Sequence, residues 1–325
     1  MRILITGGLG FIGSNLAIRL TQMGHSVTII DAGFQADHGW NDYNIAPIRR
    51  QVDVIRLNMA VDYPGLERVI HDRSFDLIYD FAGQINHISS LHHPRADLDH
   101  NFLAHLNLLE AIKTASSKPL VIFLSTRQIY GRPRYLPVNE KHPVQIVDNN
   151  AIHKIMTEEY LQLYRHLYRI NHIILRISNI FGPRQYIKDN RQGFIGYFLG
   201  LFLKNEPVTI FGDGQQKRDF LYIDDLVDLV SELPFKPDCL NRIYNVGSGI
   251  AYTINDFIVA LQAIDPHFTY QYKPFPELYR KIDIGDYISD IQAITADSGW
   301  KPRMELEQGL RQTITYYRTC LEEYR

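Results

Sequence analysis

The chain opens Met1-Arg2-Ile3-Leu4-Ile5-Thr6-Gly7-Gly8-Leu9-Gly10-Phe11-Ile12-Gly13, and a second apolar run, Val27 to Ile30, ends on Asp31. This stretch decides the fold. A short apolar strand, Ile3 to Ile5, runs into a glycine turn, and the turn opens a helix. A Cβ in such a turn blocks the bend and holds the backbone away from a pyrophosphate. The free amides and the dipole of the helix N-terminus favour that pyrophosphate's charge. An acidic residue at the end of the second strand hydrogen-bonds ribose hydroxyls. Asp31 would repel a 2′-phosphate, and Ala32, Gly33 and Phe34 supply no arginine to accept one. The expected cofactor is therefore NAD rather than NADP.

Working outward, strand signals alternate with helical ones. Further strands are expected at Val54 to Leu57, Leu77 to Phe81, Leu120 to Leu124 and His172 to Arg176. Amphipathic segments lie between them, among them Asn101 to Thr114 and Ile155 to Tyr168. Such units predict an α/β fold: a doubly wound, Rossmann-type parallel sheet covered on both faces, with ligands at the C-terminal strand ends. Past residue 176 the pattern breaks into shorter elements. The expected division is 1–176 with 220–249 as the NAD-binding domain, and 177–219 with 250–325 as a smaller α/β substrate domain. The last helix, Leu306 to Tyr317, reads as a solvated amphipathic cap.

Bulk properties narrow the classes. With 325 residues, 45% apolar and 22% charged, the chain can bury a large core. A formal charge of −2 gives no reason to expect nucleic acid or an anionic membrane as partner. No apolar run is long enough to span a bilayer. The two cysteines, Cys239 and Cys320, lack metal or redox spacing and read as reduced thiols of a cytoplasmic protein. The thirteen histidines show no zinc-binding spacing, so no metal is expected.

Further motifs follow in order. They are Phe81-Ala82-Gly83-Gln84, Asn101, Ser125-Thr126-Arg127-Gln128-Ile129-Tyr130-Gly131, Lys154, Arg176 with Asn179, and Gly182-Pro183. Arg218-Asp219-Phe220, Tyr244-Asn245-Val246-Gly247 and Gly299-Trp300-Lys301-Pro302 complete the series. With the glycines spaced as Gly7, Gly10 and Gly13, this series resembles the extended short-chain dehydrogenase/reductases of the NAD-dependent nucleotide-sugar epimerase/dehydratase type, over nearly the whole chain. Ala82-Gly83-Gln84 and the Gln192-Gly193-Phe194 region look closest to CDP-tyvelose (paratose 2-) epimerases and to UDP-glucose 4-epimerase-like chains.

The resemblance implies roles. Gly7, Gly10, Phe11, Ile12 and Gly13 would cradle the pyrophosphate, and Asp31 the adenosine ribose. Asn58 and Met59 would border the adenine. Ala82 and Gly83 would keep the fourth strand end flat under the dinucleotide, with Gln84 towards the nicotinamide ribose. Thr126 would supply the active-site hydroxyl. Lys154 would hold the nicotinamide ribose and lower the pKa of a neighbouring tyrosine. Asn179, Arg218 and Arg280 would contact the sugar and its diphosphate. A homodimer built on paired helices is implied as well.

Two departures qualify these implications. The family pattern Tyr-x-x-x-Lys reads here Asn150-Ala151-Ile152-His153-Lys154, and an amide does not titrate in the useful range. Thr126, His153, His87 and Tyr186 are the candidates to replace the tyrosine. Arg127-Gln128 stands where 4,6-dehydratases carry Asp-Glu, which argues against that elimination. The expected function is an epimerase acting through a transient keto-sugar with NAD retained. A reductase or oxidoreductase with net hydride transfer, and a non-catalytic subunit that binds NAD and nucleotide sugar, remain open.

Overall fold

In a computed structural model, which describes residues 1–33, 42–190 and 193–324, the chain forms two compact units. Phe34 and Gln192 lie outside the described residues. The first unit comprises Met1–Thr126, Asp148–Arg176 and Val227–Tyr244. The second comprises Arg127–Val147, Ile177–Leu226 and Asn245–Arg325. These boundaries differ from the expected ones chiefly at 127–147. That segment is tied into the second unit: Gln145 N donates to Ile129 O at 2.9 Å, Asn245 N donates to Glu140 at 2.8 Å, and Val138 bridges Ser289.

The first unit is built on a sheet of β1 (Arg2–Thr6), β2 (Ser26–Asp31), β3 (Asp53–Arg56), β4 (Leu77–Asp80), β5 (Leu120–Thr126), β6 (His172–Ile177) and a seventh strand, Arg242–Val246. The spatial order is seventh strand, β6, β5, β4, β1, β2, β3. The parallel pairs are β1 with β2, β1 with β4, β2 with β3, and β4 with β5. The order reverses between β1 and β4, which is where a doubly wound sheet opens a crevice at its strand C-termini. Ile3, Leu4, Ile5, Val121, Ile122 and Phe123 are buried, as a sheet covered on both faces requires.

The helices of this unit are α1 (Phe11–Gln22), α2 (Tyr63–Arg73), α3 (His87–His92), α4 (Pro94–Leu98), α5 (Ala104–Thr114) and α6 (Asn149–Tyr168). A π-helical turn, Asp99–Leu103, leads into α5 where an unbroken helix was expected. Helix α6 starts six residues before the expected segment, because the Asp148 side chain accepts from Ala151 N at 2.8 Å and caps it. That start places Asn150 and Lys154 one turn apart on a single helix.

The second unit is made of short pieces. Asn179–Phe181 pairs in parallel with Phe220–Tyr222, and Val208–Phe211 pairs in parallel with Tyr270–Lys273. Helix Leu306–Cys320 is amphipathic as expected, but it is no solvated cap. Leu310, Thr313, Ile314 and Tyr317 are fully buried, and Gly309 packs against aromatic rings. A Cβ on Gly309 would stand 2.8 Å from Phe181 Cζ. Among the described residues no helix is long and apolar enough to cross a membrane.

Candidate functional site

The glycine turn is shaped for a ligand's backbone approach. Gly7 has a φ of +68°, accepts from Gly10 N through its carbonyl, and lies so close to Ala82 that a Cβ would reach its Cα at 2.9 Å. A Cβ on Gly13 would stand 2.3 Å from Gly7 O. Gly10 precedes α1, Phe11 and Ile12 start it, and no side chain caps it. Its first amides are therefore left for an external acceptor. A dinucleotide's pyrophosphate fits this cradle. Asp31, at the end of β2, accepts from Leu9 N at 3.0 Å and Gly33 N at 2.9 Å. Burial raises its pKa, and those two amides work against the rise.

Beneath the cradle, Thr6 donates to Asp80 at 2.8 Å and accepts from the amides of Phe81 and Ala82 at 3.1 Å. His105 Nδ1 lies 2.7 Å from the other Asp80 oxygen. Burial pushes the Asp80 pKa up. His105, Thr6 and Lys154 outweigh it and hold the carboxyl below its ordinary range.

A lattice of amides follows β4. Asn101 accepts from Gln84 N at 3.1 Å and donates to Gln84 O at 2.9 Å. Asn150 Nδ2 donates to the same carbonyl at 2.7 Å. Gly83 has a φ of +146°, and a Cβ there would stand 2.6 Å from Asn101 Oδ1 and 3.2 Å from Lys154 Nζ. Lys154 Nζ donates to Leu124 O at 3.1 Å. Burial lowers its pKa to about 8 against the pull of Asp80, Asp97 and Glu158. Thr126 ends β5, half-buried. Lys154, Asn150, Gly83 and Gln84 thus come together in one unit with the cradle strands.

Other candidates are placed differently. The Asn58 side chain turns back to accept from Ala60 N at 2.9 Å, and Met59 is buried with its carbonyl accepting from Asn107. The Gln84 side chain donates to Asn86 O at 3.0 Å. His153 Nδ1 is 2.6 Å from Asp97 and His87 Nδ1 is 2.9 Å from Asp148.

In the second unit, Tyr186 donates to Asp189 at 3.0 Å. Arg218 is buried and donates to Asp283 at 2.8 Å and Gly285 O at 2.7 Å. Arg280 is exposed and lines a cavity of about 410 Å³ with Phe275 and Asp283. Asn179 Oδ1 is buried without a hydrogen-bond partner among the described residues, and so is Arg127 Nη1. The Arg127 guanidinium stands 5.3 Å over the Tyr287 ring. Burial and the nearby Arg218 charge lower its pKa to about 10.

Sequence reasoning missed the buried acids beside Lys154. Asp80 with His105, Asp97 with His153, and Glu158 with Ser125 and Arg176 are such sets. Asn101, Ser125 and Arg176 were the motif residues that pointed to this layer.

Residues 3–247 match the NAD dependent epimerase/dehydratase family. The putative UDP-glucose 4-epimerase of Methanocaldococcus jannaschii is 33% identical to the chain, over 97% of each. The UDP-glucose 4-epimerase of Thermotoga maritima, solved with UDP-glucose, superimposes with a TM-score of 0.90 at 29% identity, covering 99% of this chain and 100% of that one. That of Thermus thermophilus, solved with NAD, gives 0.85 at 28% identity, covering 98% and 100%. With the crevice and its glycine cradle in place and a match of this extent, the chain belongs to the NAD-dependent epimerase/dehydratase family.

Proposed function

We propose that the protein is an NAD-dependent nucleotide-sugar epimerase that works through a transient keto-sugar. The observation that carries this reading is the cradle of Gly7, Gly10 and Gly13 leading to the buried Lys154, in a chain of this family. Bound NAD supplies a hydride acceptor and donor that is regenerated in each cycle. The chain's residues do the rest. Gly7, Gly10, Phe11, Ile12 and Gly13 hold the pyrophosphate by backbone amides. Asp31 takes the adenosine ribose hydroxyls, and Asn58 and Met59 border the adenine. Ala82 and Gly83 leave room for the nicotinamide side, with Gln84 beside it. Lys154 orients the nicotinamide ribose. Thr126 hydrogen-bonds the reacting sugar oxygen. Asn150 positions a sugar hydroxyl. Asn179, with its unpartnered oxygen, takes a sugar or phosphate-linked donor, and Arg218 and Arg280 face the diphosphate. The protein works in the cytoplasm as a homodimer, without metal, nucleic acid or membrane.

The test is to incubate purified protein and NAD with a panel of nucleotide sugars and follow them by NMR. A new diastereomer is the expected result. A stoichiometric rise in NADH absorbance would instead assign net oxidation. Asn150 favours a second reading, a subunit that binds NAD and nucleotide sugar without turnover; calorimetric binding with no conversion of any sugar would select it.

A further inference from the structure

Lys154 is a buried ammonium surrounded by acids that are all engaged elsewhere. On β4, Asp80 takes Thr6 on one oxygen and His105 of α5 on the other. On α4, Asp97 takes Asn101 at 2.9 Å and His153 at 2.6 Å. One turn along α6, Glu158 takes Ser125 and a guanidinium fork from Arg176 of β6, with bonds of 3.1, 3.1 and 2.6 Å. Among the described residues no carboxylate reaches Nζ as an ion pair. Its contacts are the Leu124 carbonyl and the face of Phe123, 4.7 Å away. Of the candidates to replace the tyrosine, Thr126 is a hydroxyl that does not titrate near neutral pH, so it can pass a proton on but not keep it. His153, His87 and Tyr186 each lie beside a carboxylate, and the Asn150 amide donates to Gln84 O.

We propose that Lys154 is itself the acid–base group of this chain, the terminal acceptor of the sugar hydroxyl proton and its donor on return. The inference rests on the epimerase reading above. In the forward half, the O–H bond breaks and its proton goes to the neutral amine. The hydrogen on the same carbon departs with its electron pair to the bound cofactor, and C=O forms. In the return half, that hydrogen and its electrons come back to the opposite face of the ketone, and the ammonium returns the proton to oxygen. An amine with a pKa near 8 supplies both forms around neutral pH. Burial without an ion-pair partner is the physical cause.

The experiment compares wild type with Lys154→Arg, which keeps the charge but does not titrate. A ¹⁵N-lysine NMR titration of the NAD-loaded protein, assigned by the variant, should show one amine with a midpoint near pH 8. An amine that stays cationic to pH 10 overturns the inference. Calorimetry gives the variant's NAD affinity, and at saturating NAD its kcat should fall roughly 10²–10⁴-fold. As a second arm, Lys154→Cys is alkylated with 2-bromoethylamine in a Cys239→Ala/Cys320→Ala background, which restores a less basic amine. Activity should return with its alkaline-rising limb moved to lower pH; restored activity with an unmoved limb overturns the inference. Wild-type turnover with an undiminished Lys154→Arg rate overturns only the inference. No turnover of any nucleotide sugar by the wild type overturns the epimerase reading as well.

Discussion

Asp31 holds two backbone amides, Leu9 N and Gly33 N, so its carboxylate is already oriented before any ribose arrives. Preorganisation of this kind favours a neutral vicinal diol and opposes a phosphate. Asp31→Ala should weaken NAD by about 1–3 kcal/mol and relax the preference over NADP. Titration calorimetry with both cofactors measures this, and equal wild-type affinities would reject the assignment. At Thr126, replacement by Val removes the hydroxyl but keeps the shape. Thr126→Val should abolish conversion while leaving NAD affinity unchanged; full activity would remove Thr126 from the reaction. Asn150→Tyr restores the family pattern one turn before Lys154. The larger ring must displace the amide from Gln84 O. A rate gain in that variant marks the native site as a weakened form of the family's chemistry, whereas an unchanged rate shows that proton transfer does not pass through position 150.

At the scale of elements, α6 serves two purposes. Its inner face carries Asn150, Lys154, Thr157, Glu158 and Leu161, all buried. On its outer face Ile152, Leu163 and Leu167 are 43%, 45% and 53% exposed, and Met156 and Tyr160 are partly covered along the same stripe. Apolar residues at helical spacing on an open face suit an isologous contact with a second copy. Leu163→Glu with Leu167→Glu should turn a dimer into a monomer in sedimentation velocity at micromolar concentration. The monomer's stability should change little, because both side chains already meet solvent. A wild-type monomer at that concentration rejects the contact.

At the scale of the whole molecule, stability should depend on acid through His172. This residue starts β6 almost fully buried. Burial, aided by the Arg165 charge, lowers its pKa from 6.5 to about 4. Between those values the unfolded chain binds a proton that the folded chain does not, so stability rises with pH across this window and is lost on acidification. The full contribution is present above 6.5 and amounts to about 3 kcal/mol at most. Urea unfolding from pH 7 down to 4.5 should show a shallower loss in His172→Gln than in wild type. Parallel curves would show that His172 is not the group responsible.

The alternation of strands and helices and the glycine turn were legible in the sequence, because each depends on neighbours a few residues away. Apolar runs specify strands, and a turn's glycines specify its φ values locally. The early start of α6 was a local signal passed over, since Asp148 caps a residue only three positions on. The second-unit membership of 127–147 was not legible, because it depends on Glu140 and Val138 meeting partners 105 and 151 residues away. The burial of helix Leu306–Cys320 escaped too, since an amphipathic stripe does not say what will cover it. The deepest gap lay around Lys154. Sequence placed a lysine four residues after an asparagine. Only tertiary structure decided that Asp80, Asp97 and Glu158 would each find another partner, leaving the ammonium buried with no ion pair among the described residues. That outcome is set by which side chains four strands and three helices bring within hydrogen-bond reach, and local sequence carries no record of it.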